Sequence, residues 1–215
     1  MRQDTRQTMT DLRGYLKPEQ VERILSACKH RRDRLMFQLM YRCGRRVSEV
    51  LDLVPEDIMF DEGKIIFNIK KKRGRKVREL KPVDKHTMSL LKEYMEVIYP
   101  FDHMRRMTHN NHMKKDRRLF PITRKTAWET LKKVGKSVGI ERVGSGNLHP
   151  HHLRHSFAVH QVQHNIKSAG DLRKLQRYMG HSNISATMHY LQYSTDDLKD
   201  MTELWDEKGI KKKKR

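Results

Sequence analysis

Cysteine is scarce in this chain, with only Cys28 and Cys43 among 215 residues. The two form no Cys-x-x-Cys pair and sit among apolar neighbours, so they read as reduced core residues of an intracellular protein. Long apolar runs are missing too. No stretch approaches the length of a spanning helix, and the opening "MRQDTRQTMTDLRGYL" has no apolar centre of the signal-peptide kind. Membrane attachment is therefore not expected. Acidic residues are the third deficit: 26 Asp and Glu stand against 47 Lys and Arg, a formal net charge of +21. That imbalance speaks about partners and not about fold. A surface this positive releases counterions when it meets a polyanion, which makes nucleic acid the expected partner class. At 36% hydrophobic, the chain has enough apolar matter for a single helical core. It shows no internal repeat and no long linker.

What is present is mostly helical patterning. In "LKPEQVERILSACKH", Pro18 suits a first helical position, and Val21, Ile24, Leu25 and Cys28 share one face. "DRLMFQLMYRCGRRVSEVLDL" predicts two helical pieces joined near Gly44. The period then shortens. In "DIMFDEGKIIFNIKKKRGRKVREL", Ile58, Phe60, Ile65, Phe67 and Ile69 alternate, with "DEG" and "RGR" as turn signals, which predicts about three antiparallel strands. Helices resume in "VDKHTMSLLKEYMEVIY", and "PFDHMRRMTHNNHMKKDRR" is a polar excursion whose His103, His109 and His112 read as solvated loop residues. "TRKTAWETLKKVGKSVGI" predicts a helix with Trp128, Leu131 and Val138 inward and Gly139 at its end. Helical patches follow at His151–Gln163, Ala169–Met179 and Ser182–Tyr190. The expected fold class is mainly α with a small antiparallel β-sheet, in one domain.

The stretch "HPHHLRHSFAVH", His149 to His160, raises the question of chemistry. Pro150 marks a helix start, so His151, Arg154 and His155 stand one turn apart on one face near the helix N-terminus. Backbone N–H groups and the positive end of the helix dipole favour an anion there. Arginine offers a planar fork to two phosphate oxygens, and histidine exchanges a proton near neutral pH. A zinc reading could use His151 and His155, but an arginine between them repels the cation. Two further strings accompany this one. "CGRRVSEVLDL" puts Arg46 at a turn into a helix with Glu49 three residues on, an i,i+3 ion-pair spacing. "MGHSNISATMHY" puts His181 directly after Gly180 and Tyr190 nine residues later. Nine residues place the two on opposite faces of one straight helix, so they meet only across a bend or from separate elements.

In order and in internal spacing, these strings resemble the tyrosine recombinase (integrase) family, whose pattern runs "TGLRISEL", "PHxLRHxFA", "LGHxxxxTTxxY". The resemblance extends from "YLKPEQVERIL" to Tyr190. It implies the fold of that family's catalytic domain over 1–195, with a C-terminal helix and basic tail over 196–215. It also implies a DNA strand-cutting and rejoining activity that uses no metal, no ATP and no other cofactor. By the same resemblance, Arg46 and Arg154 hold the non-bridging oxygens of the scissile phosphate, and His181 hydrogen-bonds to it. His151 moves the proton of the nucleophile, Tyr190 attacks phosphorus, and Glu49 orients the groups that touch the phosphate. The family's general-acid lysine lies on the β-hairpin, where the match loosens. Lys72 is our choice, with Lys71, Lys76 and the arginine at Arg73 as alternatives.

The family usually carries an N-terminal helical domain that clamps DNA; the catalytic-domain pattern begins almost at the first residue here, so that domain is expected to be absent. Leu198, Met201, Leu204 and Trp205 fall at apolar positions of a short C-terminal helix. This helix either docks on a neighbouring protomer in a tetramer on DNA or packs on its own domain. Double-stranded DNA is the expected partner, and a nucleoid-associated cytoplasmic location follows from that. The rival readings are a type IB topoisomerase-like relaxation, a DNA-binding protein of the same fold without catalysis, and a metal-dependent nuclease.

Overall fold

The computed structural model describes residues 14–70, 76–99 and 117–193. The chain divides into two compact units, Met1–Phe157 and Ala158–Arg215.

The first unit opens with helices α1 (Pro18–Ser26), α2 (Arg31–Arg42) and α3 (Val47–Leu51), and a 3-10 turn at Pro55–Asp57. A three-stranded antiparallel sheet follows, in the order β1 (Ile58–Met59), β2 (Lys64–Lys70), β3 (Lys76–Pro82). Next come α4 (Lys85–Ile98), α5 (Arg124–Ser137), a two-stranded hairpin of β4 (Arg142–Val143) and β5 (Gly146–Asn147), and the start of α6 (His151–Asn165). The helix starts are written locally. Pro18 opens α1 while the Gln20 side chain accepts from the Lys17 N–H at 2.9 Å. Asp84 and Thr123 cap α4 and α5 by accepting from Thr87 N–H at 3.0 Å and Thr126 N–H at 3.1 Å. Each such cap contributes about 1 kcal/mol.

Helix α2 is buried nearly all round, from Leu35 through Met40, so it forms the centre of this unit. Val21, Ile24 and Leu25 of α1, Ile65, Phe67 and Ile69 of β2, Leu91 of α4, Leu131 of α5 and Leu153 of α6 join the same core. The alternation in β2 is the expected one. It does not extend to Phe60, which is 37% exposed because it sits in the turn between β1 and β2, where Gly63 N–H closes on its carbonyl at 3.2 Å. Trp128 corrects a second expectation. Helix α5 turns it outward at 41% exposure, with the Lys132 ammonium 5.7 Å from its ring centroid, and buries Ala127, Leu131 and Gly135. The apolar stripe runs one residue aside from where the tryptophan suggested. Val138 is partly buried against the core, and Gly139 does end the helix region in a left-handed conformation (φ 70°).

Both cysteines are free thiols. Cys43 is buried in the core, while burial pushes the Cys28 thiol up to about 12, so it stays protonated.

The second unit holds the latter part of α6, helix α7 (Ala169–Met179), the short α8 (Ser185–Met188) and a 3-10 segment at His189–Tyr193. Ser168 caps α7 by accepting from Asp171 N–H at 3.2 Å. Leu172, Leu175 and Met179 are its buried face. Gly180 ends α7 in the left-handed region at φ 69°, the conformation glycine adopts without steric cost.

Candidate active site

In the first unit, the site is built on the turn between α2 and α3. Gly44 reverses the chain there at φ 58°, and a Cβ at this position would lie 2.5 Å from Cδ1 of Phe157, so both conformation and space require glycine. Arg46 follows as the residue preceding α3. The Glu49 carboxylate folds back on it: Oε2 accepts from the Arg46 N–H at 3.0 Å and Oε1 from its Nη1 at 2.7 Å. Arg154, one turn into α6, is 1% exposed. Its Nη1 donates to the Gly44 carbonyl at 2.6 Å and lies 3.8 Å from Glu49 Oε2. Glu49, itself 3% exposed, therefore stands between two guanidiniums. One buried carboxylate offsets part of a cluster that would otherwise repel itself, and leaves the cluster net positive. Arg46 keeps its side chain 41% exposed and can reach an anion.

His151 begins α6. Partial burial holds its imidazole below the ordinary histidine value, and the positive Arg154, then His149 and Arg46, add to that effect. The ring is therefore neutral at pH 7 and able to take a proton. Behind it, His152 accepts on Nδ1 from the His149 N–H at 3.1 Å, and the two rings stack at 3.8 Å between centroids. Burial brings His152 down to about 4. Its neighbour His149 is lowered by burial as well.

In the second unit, His181 directly follows the Gly180 turn. Its N–H donates to the Gln176 carbonyl at 3.1 Å, and its carbonyl accepts from Gln176 Nε2 at 3.2 Å. Its ring Nδ1 is 2.8 Å from Thr187 Oγ1, and its ring stacks with that of Tyr190 at 6.2 Å between centroids. The bend between α7 and α8 brings the pair together, as the nine-residue spacing requires. Tyr190 is 6% exposed.

Of the residues singled out in the sequence, Arg46, Glu49, His151 and Arg154 lie in the first unit and His181 and Tyr190 in the second. Arg46, Glu49 and Arg154 form one cluster, in which Arg46 is hydrogen-bonded to Glu49 and Arg154 stands 3.8 Å from the same carboxylate. Lys72, with Lys71 and Arg73, lies outside the described residues, as do residues 196–215 and the three histidines of the polar excursion. Reading the sequence missed three features. These are the double role of Glu49, the grip of Arg154 on the Gly44 carbonyl, and Thr187 as the partner of His181. The threonine was visible in "SATMHY", but no periodicity assigns it a partner. Among the described residues, no three His, Cys, Asp or Glu side chains group in a way that could hold a metal ion, and no helix is long and apolar enough to cross a membrane.

Residues 14–196 match the model of the phage integrase family. The chain is 32% identical over 193 residues to tyrosine recombinase XerA of Pyrococcus horikoshii, covering 87% of this chain and 60% of that protein. It is 34% identical over 195 residues to tyrosine recombinase XerD of Proteus mirabilis, covering 86% and 56%. The chain thus spans about three fifths of the length of such relatives. In fold it is similar to XerH site-specific recombinase bound to palindromic difH substrate, with a TM-score of 0.65 at 24% identity over 91% of this chain and 54% of that one. It is also similar to the catalytic domain of bacteriophage HP1 integrase, with a TM-score of 0.59 at 24% identity over 88% of this chain and 94% of that one. The motif order, the helical fold with its small antiparallel sheet, and a match running almost from end to end agree: this chain belongs to the phage integrase family, with the fold of a tyrosine recombinase catalytic domain.

Proposed function

We propose that this chain is a site-specific recombinase that cuts and rejoins DNA strands through a covalent bond to Tyr190. The observation that carries this reading is the Arg46–Glu49–Arg154 cluster. Two guanidiniums share one buried carboxylate, so a net positive charge is left for a phosphate. In the proposed reaction, Arg46 and Arg154 hold the non-bridging oxygens and stabilise the charge of the pentacoordinate transition state. The neutral His151 takes the proton of the Tyr190 hydroxyl. The Tyr190 oxygen bonds to phosphorus as the P–O5′ bond breaks, giving a 3′-phosphotyrosyl ester and a free 5′-hydroxyl. Lys72 protonates the leaving 5′-oxygen. His181, whose Nδ1 is engaged with Thr187, offers Nε2 to the phosphate. The ester preserves the energy of the broken bond, so the reverse attack by a 5′-hydroxyl rejoins the strand without ATP.

Double-stranded DNA is the proposed substrate, in keeping with a net charge of +21 and with the DNA complex of the similar XerH recombinase. The proposed assembly is a tetramer on paired DNA sites, linked by residues 196–215 with Trp205 as anchor. Deleting those residues then abolishes DNA-induced oligomerisation. The proposed location is the cytoplasm, on the nucleoid.

Relaxation of supercoiled plasmid in EDTA without ATP tests the chemistry. Wild-type protein is expected to relax the plasmid and Tyr190→Phe to leave it supercoiled. Equal relaxation by both, or relaxation by wild type only when Mg²⁺ is supplied, contradicts the reading.

A further inference from the structure

The string "CGRRVSEV", residues 43–50, aligns with "TGLRISEL" and puts a charge where that pattern has none at one position only. Arg45 stands where the pattern has leucine. Its side chain is fully buried at 0% exposure, directly beside Arg46. Its Nε donates to the Cys43 carbonyl at 2.8 Å, and its guanidinium carbon lies 5.2 Å from the centroid of the Phe67 ring. The next carbonyl, that of Gly44, is held by Arg154. Two consecutive carbonyls of the turn that presents Arg46 are thus each gripped by a buried guanidinium. Phe67 belongs to β2, the strand that precedes the lysine-rich hairpin in sequence. An aliphatic side chain would fill the same space without the desolvation cost of a cation. Arginine adds what leucine lacks: a directed donor to the turn and a cationic face for the Phe67 ring.

We propose that Arg45 is a positioning residue for strand cleavage, which fixes the Cys43–Gly44 turn and ties it to β2, so that Arg46 keeps a constant place relative to the strand leading into the hairpin. The inference rests on the function proposed above. Arg45 touches neither substrate nor reacting atoms. It acts through the direction in which Arg46 points, and reaction rates fall steeply when a charge-stabilising group is displaced by about 1 Å.

Arg45→Met keeps length and apolar volume while removing charge and fork, and Arg45→Lys keeps the charge alone. The methionine variant is expected to melt within about 5 °C of wild type, since uncharged packing replaces a buried cation. It should bind duplex DNA within about three-fold of wild type, yet cleave about 100-fold more slowly in single turnover at saturating DNA. Lysine is expected to restore part of that loss, through its cation–π contact with Phe67. Amide hydrogen exchange across residues 43–49 should quicken about ten-fold in the methionine variant, a local loosening without global unfolding. Wild-type cleavage by folded Arg45→Met overturns the proposal, and so does a rate loss matched by an equal loss of DNA affinity. If Arg45→Met does not fold, Phe67→Leu takes its place. It is expected to slow cleavage about ten-fold, and a wild-type rate there overturns the proposal. If wild-type protein cleaves no DNA, the functional reading fails. The exchange data then decide on Arg45 separately, unchanged exchange at residues 43–49 counting against it.

Discussion

Glu49 shows what one residue contributes. It bonds the Arg46 backbone and side chain and stands 3.8 Å from Arg154, at 3% exposure. Glu49→Ala leaves two neighbouring guanidiniums uncompensated and is expected to lower stability by about 3 kcal/mol, read from urea midpoints. Glu49→Gln retains an acceptor for the Arg46 N–H and loses the charge, so it should cost less stability while still slowing cleavage. His152 makes a second prediction. Its folded value of about 4 lies below the ordinary histidine value of 6.5. Above pH 6.5 neither the folded nor the unfolded ring carries a proton, so the group has no effect. As pH falls from 6.5 towards 4, the unfolded chain takes up a proton that the folded chain refuses, and stability declines. The decline levels off below about 4, after a loss of up to about 3 kcal/mol from this group. Melting curves across that window should show the decline, and His152→Gln should flatten it. A slope that the substitution leaves unchanged would contradict the assignment.

At the scale of elements, the turn between α2 and α3 governs the site. Gly44→Ala meets both a positive φ and the Phe157 ring, and is expected to cost about 3 kcal/mol and to loosen the Arg154 grip. Gly139→Ala, at φ 70° with no atom within 4 Å of the added methyl, carries only the conformational cost of about 1 kcal/mol. Thermal melts of the two variants should differ accordingly, and equal costs would contradict the role given to Phe157. The elements themselves were largely legible in the sequence. The helices carried their own caps and periods, and Ile65, Phe67 and Ile69 declared a half-buried strand. Trp128 misled because an aromatic side chain looks like core on composition alone, whereas the stripe through Ala127 and Leu131 decides which way α5 faces. Phe60 misled because alternation continues on paper through a turn that the chain takes at Gly63. The β4–β5 hairpin went unread because two-residue strands are too short to show any alternation.

For the whole molecule, the sequence displayed the ingredients of the site more clearly than their arrangement. Three motif strings in order pointed to the family. Neither charge nor periodicity says that Glu49 serves two arginines, or that Arg154 closes on a carbonyl 110 residues away. Those are tertiary contacts, and local patterns carry no signal for them. The lysine-rich stretch at 70–76 offered several candidates at adjacent positions, because a run crowded with Lys and Arg blurs alignment by one residue. The central claim concerns one bond, between Tyr190 and a 3′-phosphate, and it is tested most directly by finding that bond. Protein reacted with supercoiled plasmid in EDTA would be trapped with detergent, digested with nuclease and protease, and its tyrosine peptides weighed. The account predicts a nucleotide remnant on Tyr190, absent from Tyr190→Phe protein. A remnant on another residue, or DNA cut with no protein attached, would contradict it.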